Sequence, residues 1–110
     1  MNNIPPVETL SNIIREEFAK QDVIVTSVYL FGSRALGTAK SESDWDFLII
    51  IQEKILHSLQ RKIISGIRKR FIFDFNIDAD FLLLAENEVL SANNDKGRIS
   101  YYALREGLPV

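Results

Sequence analysis

Three groups of residues could do chemistry together. Asp44 and Asp46 flank Trp45 as Asp-x-Asp, directly ahead of the apolar run Phe47–Ile51. Gly32 and Ser33 directly follow the β-branched and aromatic segment Val23–Phe31. Asp78 and Asp80 form a second Asp-x-Asp ahead of Phe81–Leu84. In a strand, side chains two apart share a face, so Asp44 and Asp46 should project together. Neighbouring carboxylates raise each other's pKa unless a cation sits between them. Hard oxygen donors of this kind suit Mg²⁺ or Mn²⁺. A third carboxylate on an adjacent strand would complete a two-metal site for an in-line displacement. A bare Asp-x-Asp also opens many strands from polar loops, so the loop before it matters. Gly32 lets the backbone approach a ligand closely, and a backbone N–H with the Ser33 hydroxyl could hold phosphate oxygens.

Other chemistries are excluded. With no cysteine there is neither a disulfide framework nor a thiolate nucleophile, and the single histidine, His57, rules out two-histidine metal motifs. Gly32-x4-Gly37 begins like a Walker A loop, but Thr38 stands where lysine is required. No GxGxxG fingerprint occurs. The 110 residues carry 13 Lys and Arg against 15 Asp and Glu, a net charge of -2, which argues against direct nucleic-acid binding. No apolar run reaches the ~18 residues of a membrane span, and the N-terminus lacks a signal-peptide plan, so a cytoplasmic location is expected.

The elements that must position these residues follow from periodicity. Val7, Leu10, Ile14 and Phe18 have helical spacing, predicting a helix over residues 6–20 after Pro5 and Pro6. Val23–Phe31 reads as a central strand, Gly32–Ser43 as a loop and Trp45–Ile51 as a second strand. Trp45, Phe47 and Ile49 then point away from the acids, toward packed helices. Leu56, Leu59, Ile63 and Ile67 predict a helix over Glu53–Arg70. Phe71–Leu84 is ambiguous. Its odd positions are all apolar, yet 14 residues far exceed the ~5–6 of a mean strand, so the helix could run on, with the strand confined to Ile77–Leu84. If that strand began earlier, Asp74 would join Asp78 and Asp80 on one face. Helices over Glu86–Ala92 and Lys96–Arg105, stopped by Gly107, complete the order α-β-β-α-β-α-α. The expectation is an α/β (α+β) arrangement, a small sheet with helices packed on it, in one domain over residues 1–110.

Gly32-Ser33, the ten residues Arg34–Ser43, then Asp44-Trp45-Asp46 resemble the signature of polymerase-β-like nucleotidyltransferases, in the spacing of the minimal nucleotidyltransferase (MNT) members. Ala35, Gly37, Ala39 and Ser43 echo the loop interior, while Leu36 and the bulky Trp45 depart from it. Asp80 through Glu88 is similar to the family's third-acid strand and following helix, and Ala103–Val110 to its closing helix and strand. The resemblance implies a polymerase-β-like fold with a small mixed sheet. Asp44, Asp46 and Asp80 would be the catalytic and metal-binding acids, with Asp78 as second choice for the third. Gly32, Ser33 and Arg34 would bind phosphate, with Lys40 as a further cation. Two Mg²⁺ ions, or Mn²⁺, would be the cofactors. The implied reaction moves a nucleoside monophosphate, AMP from ATP, onto an acceptor hydroxyl. Members of this size resemble antitoxins that adenylylate a tyrosine on a HEPN-type toxin, so acceptor recognition would come from a partner chain or a dimer. The alternative is an inactive relative that neutralises its partner by binding alone. The basic residues Arg61, Lys62 and Arg68–Arg70 read as a solvated helix end, or else as a contact for RNA phosphates or an acidic partner.

Overall fold

In a computed structural model, residues 5–36, 44–94 and 99–110 are described. The chain runs α1 (Val7–Ala19), β1 (Val25–Phe31), α2 (Ser33–Leu36), β2 (Trp45–Ile51), α3 (His57–Phe75), β3 (Ala79–Ala85), α4 (Glu86–Asn94), α5 (Ile99–Glu106) and β4 (Leu108–Pro109). The four strands form one mixed sheet in the order β3-β2-β1-β4. β1 pairs antiparallel with both β2 and β4, so Val25–Phe31 is central as expected. β2 and β3 are parallel, and α3 is the crossover that parallel neighbours require.

Both sheet faces are covered, which is why β2 is almost continuously apolar rather than alternating. Trp45, Phe47, Ile49 and Ile51 project to one side and pack with Leu10, Ile14 and Phe18 of α1 and Ile63, Ile67 and Phe71 of α3. Leu48, Ile50 and Leu84 project to the other, with Ala103 of α5 and the partly buried Val89 of α4. Asp46 and Asp80 lie on this second face, ahead of the residues that α4 and α5 cover.

Several bounds differ from the periodicity: β1 starts at Val25 and β3 at Ala79, each two residues late, Ser33–Leu36 of the expected loop coils into α2, and α3 is shifted at both ends. α3 starts at His57 rather than Glu53, because Leu56 is still extended (φ -61°, ψ 144°) and no side chain caps the helix earlier. It continues through Phe75, where Asn76 adopts the left-handed conformation (φ 53°, ψ 44°) and closes it. Ile67, Phe71 and Phe75 step by four along α3 and face the core cluster, whereas Phe73 is 85% exposed. The alternation at 71, 73 and 75 is therefore a helix in which two of three aromatics face inward. Asp74 lies on this helix, exposed, and does not join the acids of β3.

The basic run changes its meaning as well, because it is mid-helix rather than at a helix end. Arg70 pairs with Glu16 at 2.9 Å and Glu17 at 3.0 Å, tying α3 to α1. Arg68 donates from Nη1 to the carbonyl of Ala79 at 2.6 Å, tying α3 to the first residue of β3. These two arginines are structural ties, not a solvated end.

Candidate active site

The site is built where β1 ends and β2 and β3 begin. β1 delivers Phe31 beside Asp46, and β3 delivers Asp80 beside Asp46 on the opposite flank. The parallel register thus sets Asp46 and Asp80 side by side on neighbouring strands, with their side chains on the same face. Asp44 precedes β2 by one residue and is exposed. Asp78 precedes β3 by one residue, is also exposed, and accepts the N–H of Trp45 at its backbone carbonyl, 3.2 Å away. Asp80, not Asp78, is the strand residue opposite Asp46.

Gly32 turns the chain immediately after β1 with φ +75°, a left-handed conformation that favours glycine. The turn lays its backbone against the Asp46 side chain. A Cβ built at Gly32 would overlap Oδ2 of Asp46 and stand 3.3 Å from its Cγ. The following residues coil into α2, whose Ala35 N–H donates to the Gly32 carbonyl at 3.1 Å. Ser33, half-buried, opens that turn. Gly32, Ser33, Asp46 and Asp80 are thereby brought to one end of the sheet. Gly37 and Lys40 lie outside the described residues.

Asp46 is the electrostatic pivot. Its carboxyl titrates above the usual Asp range, first because it is half-buried, then because Asp80 and Asp44 add negative charge. A carboxylate in that position gains from a cation beside it, and a set of Asp oxygens is the donor chemistry of Mg²⁺ or Mn²⁺. The glycine cradle leaves room against Oδ2 that a side chain would fill. The residues present therefore fit a hard divalent cation. Among the described residues, no three His, Asp or Glu side chains converge closely enough to enclose an ion as placed. The backbone supplies the clustering, and side-chain rotation would have to complete it.

A row of ring contacts at the site was not legible in the sequence. The Arg34 guanidinium lies 4.5 Å from the centre of the Trp45 ring. Trp45 stacks on Phe47 (6.2 Å, 5°), and Phe47 stacks on Phe81 (6.0 Å, 15°). Arg68 closes the row, 5.3 Å from the Phe81 ring. The one available signal was Trp45 itself, a large aromatic between two acids where a smaller apolar residue would suffice.

His57 belongs to the other end of the molecule. It is the first residue of α3, exposed, and lines a cleft of about 260 Å³ with Lys54, Gln60 and Glu88 at the far ends of β2 and β3. It is remote from Ser33 and the acids. Among the described residues, no helix is long and apolar enough to cross a membrane.

Comparison with known proteins bears on this arrangement. A crystal structure of the toxin-antitoxin MntA-HpeT, in a double Asp-to-Glu mutant, superposes with a TM-score of 0.62 at 13% identity, covering 96% of this chain and 72% of that one. A toxin-antitoxin structure with AMP-PNP gives 0.57 at 16% identity, covering 89% and 69%. A candidate nucleotidyltransferase from Sulfolobus solfataricus gives 0.50 at 26% identity, covering 73% and 68%. These likenesses establish the fold, a mixed four-stranded sheet with helices packed on it as in polymerase-β-like nucleotidyltransferases. No curated protein sequence matches the chain. Residues 12–109, nearly the whole chain and including every residue of the site, match the family described as Polymerase beta, Nucleotidyltransferase, and the chain belongs to that family.

Proposed function

We propose that the protein is an active nucleotidyltransferase that moves AMP from ATP to an acceptor hydroxyl. Within that activity we favour an antitoxin of the HEPN/MNT kind, whose acceptor is a tyrosine of its toxin. The observation that carries the reading is the pairing of Asp46 with Asp80 above the Gly32 turn. That pairing gathers acidic oxygens where a triphosphate must be met, and a glycine backbone where its phosphates must pass. Family membership supports the class of reaction. The toxin-antitoxin fold neighbours, one with AMP-PNP, agree with the choice of nucleotide and partner.

Asp44, Asp46 and Asp80 would hold the divalent cations. Bound Mg²⁺ or Mn²⁺ supplies neutralisation of triphosphate charge and a more acidic acceptor hydroxyl. The Gly32 backbone and the Ser33 hydroxyl would grip the β and γ phosphates. Ser33 is then a ligand, not a nucleophile, since His57 is at the other end of the sheet. The acceptor oxygen forms a bond to the α-phosphorus, the bond from that phosphorus to the β-bridging oxygen breaks, and pyrophosphate leaves. Asp80, on the strand beside Asp46, would help take the acceptor proton. Most of the rate would come from orientation and fixed charge rather than from covalent chemistry.

The test uses ATP labelled at the α-phosphate, Mg²⁺ and the product of the neighbouring gene. Transfer of label to that protein, lost in Asp44→Asn with Asp46→Asn, is the expected result. No transfer, together with full neutralisation of the partner by the double variant, would establish capture by binding alone.

A further inference from the structure

A phosphate-gripping turn must be held in place, and α2 is poorly equipped to hold itself. It has only four residues, and a single helical turn is marginal by itself in water. Its anchorage is lateral. Ala35 packs against the core cluster, and the guanidinium of Arg34 lies 4.5 Å over the Trp45 ring. Trp45 is 5% exposed and alternates with Asp46 along β2, so its ring is on the core side of the strand. Arg34 therefore sits against the face turned away from the Asp46 carboxylate. The row of rings continues through Phe47 to Phe81 and ends at Arg68, whose Nη1 donates to the carbonyl of Ala79, next to Asp80. One continuous row of cation, three rings and cation thus joins the Gly32–Ser33 turn to both acid-bearing strands.

We infer that Arg34 is a positioning residue: its guanidinium, seated on Trp45, pins the Gly32–Ser33 turn against β2, and it does not itself contact the triphosphate. This replaces the expectation that Arg34 is a phosphate ligand. Arginine suits the role because its planar, weakly hydrated guanidinium stacks flat on an aromatic face with more contact than the compact ammonium of lysine. Indole is the best of the aromatic faces for a cation, which gives the bulk of Trp45 between the acids a purpose. The nucleotide half of the test rests on the proposed activity, and the other half does not.

The variants are Arg34→Ala, Arg34→Lys, Trp45→Leu, Trp45→Phe and the double Arg34→Ala/Trp45→Leu. Two quantities are read: hydrogen exchange at the Ala35 amide, and affinity for a non-hydrolysable ATP analogue with Mn²⁺. Arg34→Ala, Arg34→Lys and Trp45→Leu should each speed Ala35 exchange by about tenfold and weaken the analogue in proportion. The double variant should be no worse than either single, and Trp45→Phe should recover most of both. Loss of analogue binding in Arg34→Ala with Ala35 exchange unchanged would overturn the inference, as would Arg34→Lys binding as tightly as the natural chain while its Ala35 exchange is faster. Both results would mean that the charge itself meets phosphate. If Trp45→Leu fails to fold, Arg34→Lys still separates stacking from charge. If even the natural chain binds no analogue, the proposed activity fails, and Ala35 exchange alone decides: faster in the Arg34 variants supports the anchor, unchanged refutes it.

Discussion

Replacing Gly32 by alanine should damage stability and site together, for reasons that can be separated. At φ +75° an L side chain is strained, at a cost of about 1–2 kcal/mol. The added Cβ would also overlap Oδ2 of Asp46. Reaching ordinary carbon contact would need a displacement on the order of 1 Å. The Asp46 carboxylate can turn aside, so the overlap costs little folding energy but moves the pivot of the acid cluster. Misplacement by about 1 Å at a reacting centre can cost on the order of a hundredfold in rate. Thermal melting should therefore show a loss of about 1–2 kcal/mol. Mn²⁺ titration calorimetry and transfer assays should show a far larger proportional loss. A Gly32→Ala protein with unchanged melting would refute the strain argument. One with normal Mn²⁺ affinity and transfer would refute the claim that the Gly32 turn cradles Asp46.

Further outcomes follow from neighbouring features. Asp46→Asn should make the metal-free protein more stable at neutral pH, not less, while abolishing metal binding. The raised carboxyl holds its proton more tightly in the folded state, so its contribution is fully present below the unfolded value of 3.8 and is lost as pH rises through the folded one. The advantage of the variant should accordingly grow from acid to neutral pH in denaturant titrations, and a constant difference would contradict it. Phe47→Ala, at a fully buried ring stacked on both Trp45 and Phe81, should cost about 3–5 kcal/mol by chemical denaturation. Arg70→Ala should cost about 1 kcal/mol in low salt and less in high salt, because it breaks the α1–α3 pairs with Glu16 and Glu17. Glu17 titrates below its ordinary value, chiefly through its hydrogen bond with Lys20, so its contribution is present above 4.5 and fades as pH falls through the folded value.

Apart from the four-residue α2, expected as loop, and the two-residue β4, which only the resemblance implied, the order of elements and the acid spacing are legible because each depends on neighbours in sequence. β2 is legible at both ends, since small and polar residues precede Trp45, an exposed Gln52-Glu53 follows Ile51, and Asp46 is the one break in the apolar residues between. The place of Asp80 beside Asp46 was reached through resemblance, and the β2–β3 register agrees with it. What escaped depends on partners far away in the chain. The end of α3 was hidden because Phe71 and Phe75 satisfy both a period of two and a step of four. Only Asn76 entering the left-handed region settles the difference. Arg68 and Arg70 looked like solvated cations because their acceptors, Ala79, Glu16 and Glu17, lie on other elements. The seat of Arg34 on Trp45 spans a loop and a strand, and no local pattern encodes it.

The central claim is that Asp46 and Asp80, opposite each other on β2 and β3, form the acidic site that meets a metal-bound triphosphate. It can be tested without knowing the acceptor. Calorimetric titration of a non-hydrolysable ATP analogue, with and without Mn²⁺, should be run on the natural chain, Asp80→Asn and Asp78→Asn. The account predicts binding that requires the metal, weakens more than about tenfold in Asp80→Asn and stays near normal in Asp78→Asn. Binding that ignores the metal, or that survives Asp80→Asn and fails in Asp78→Asn, would contradict it.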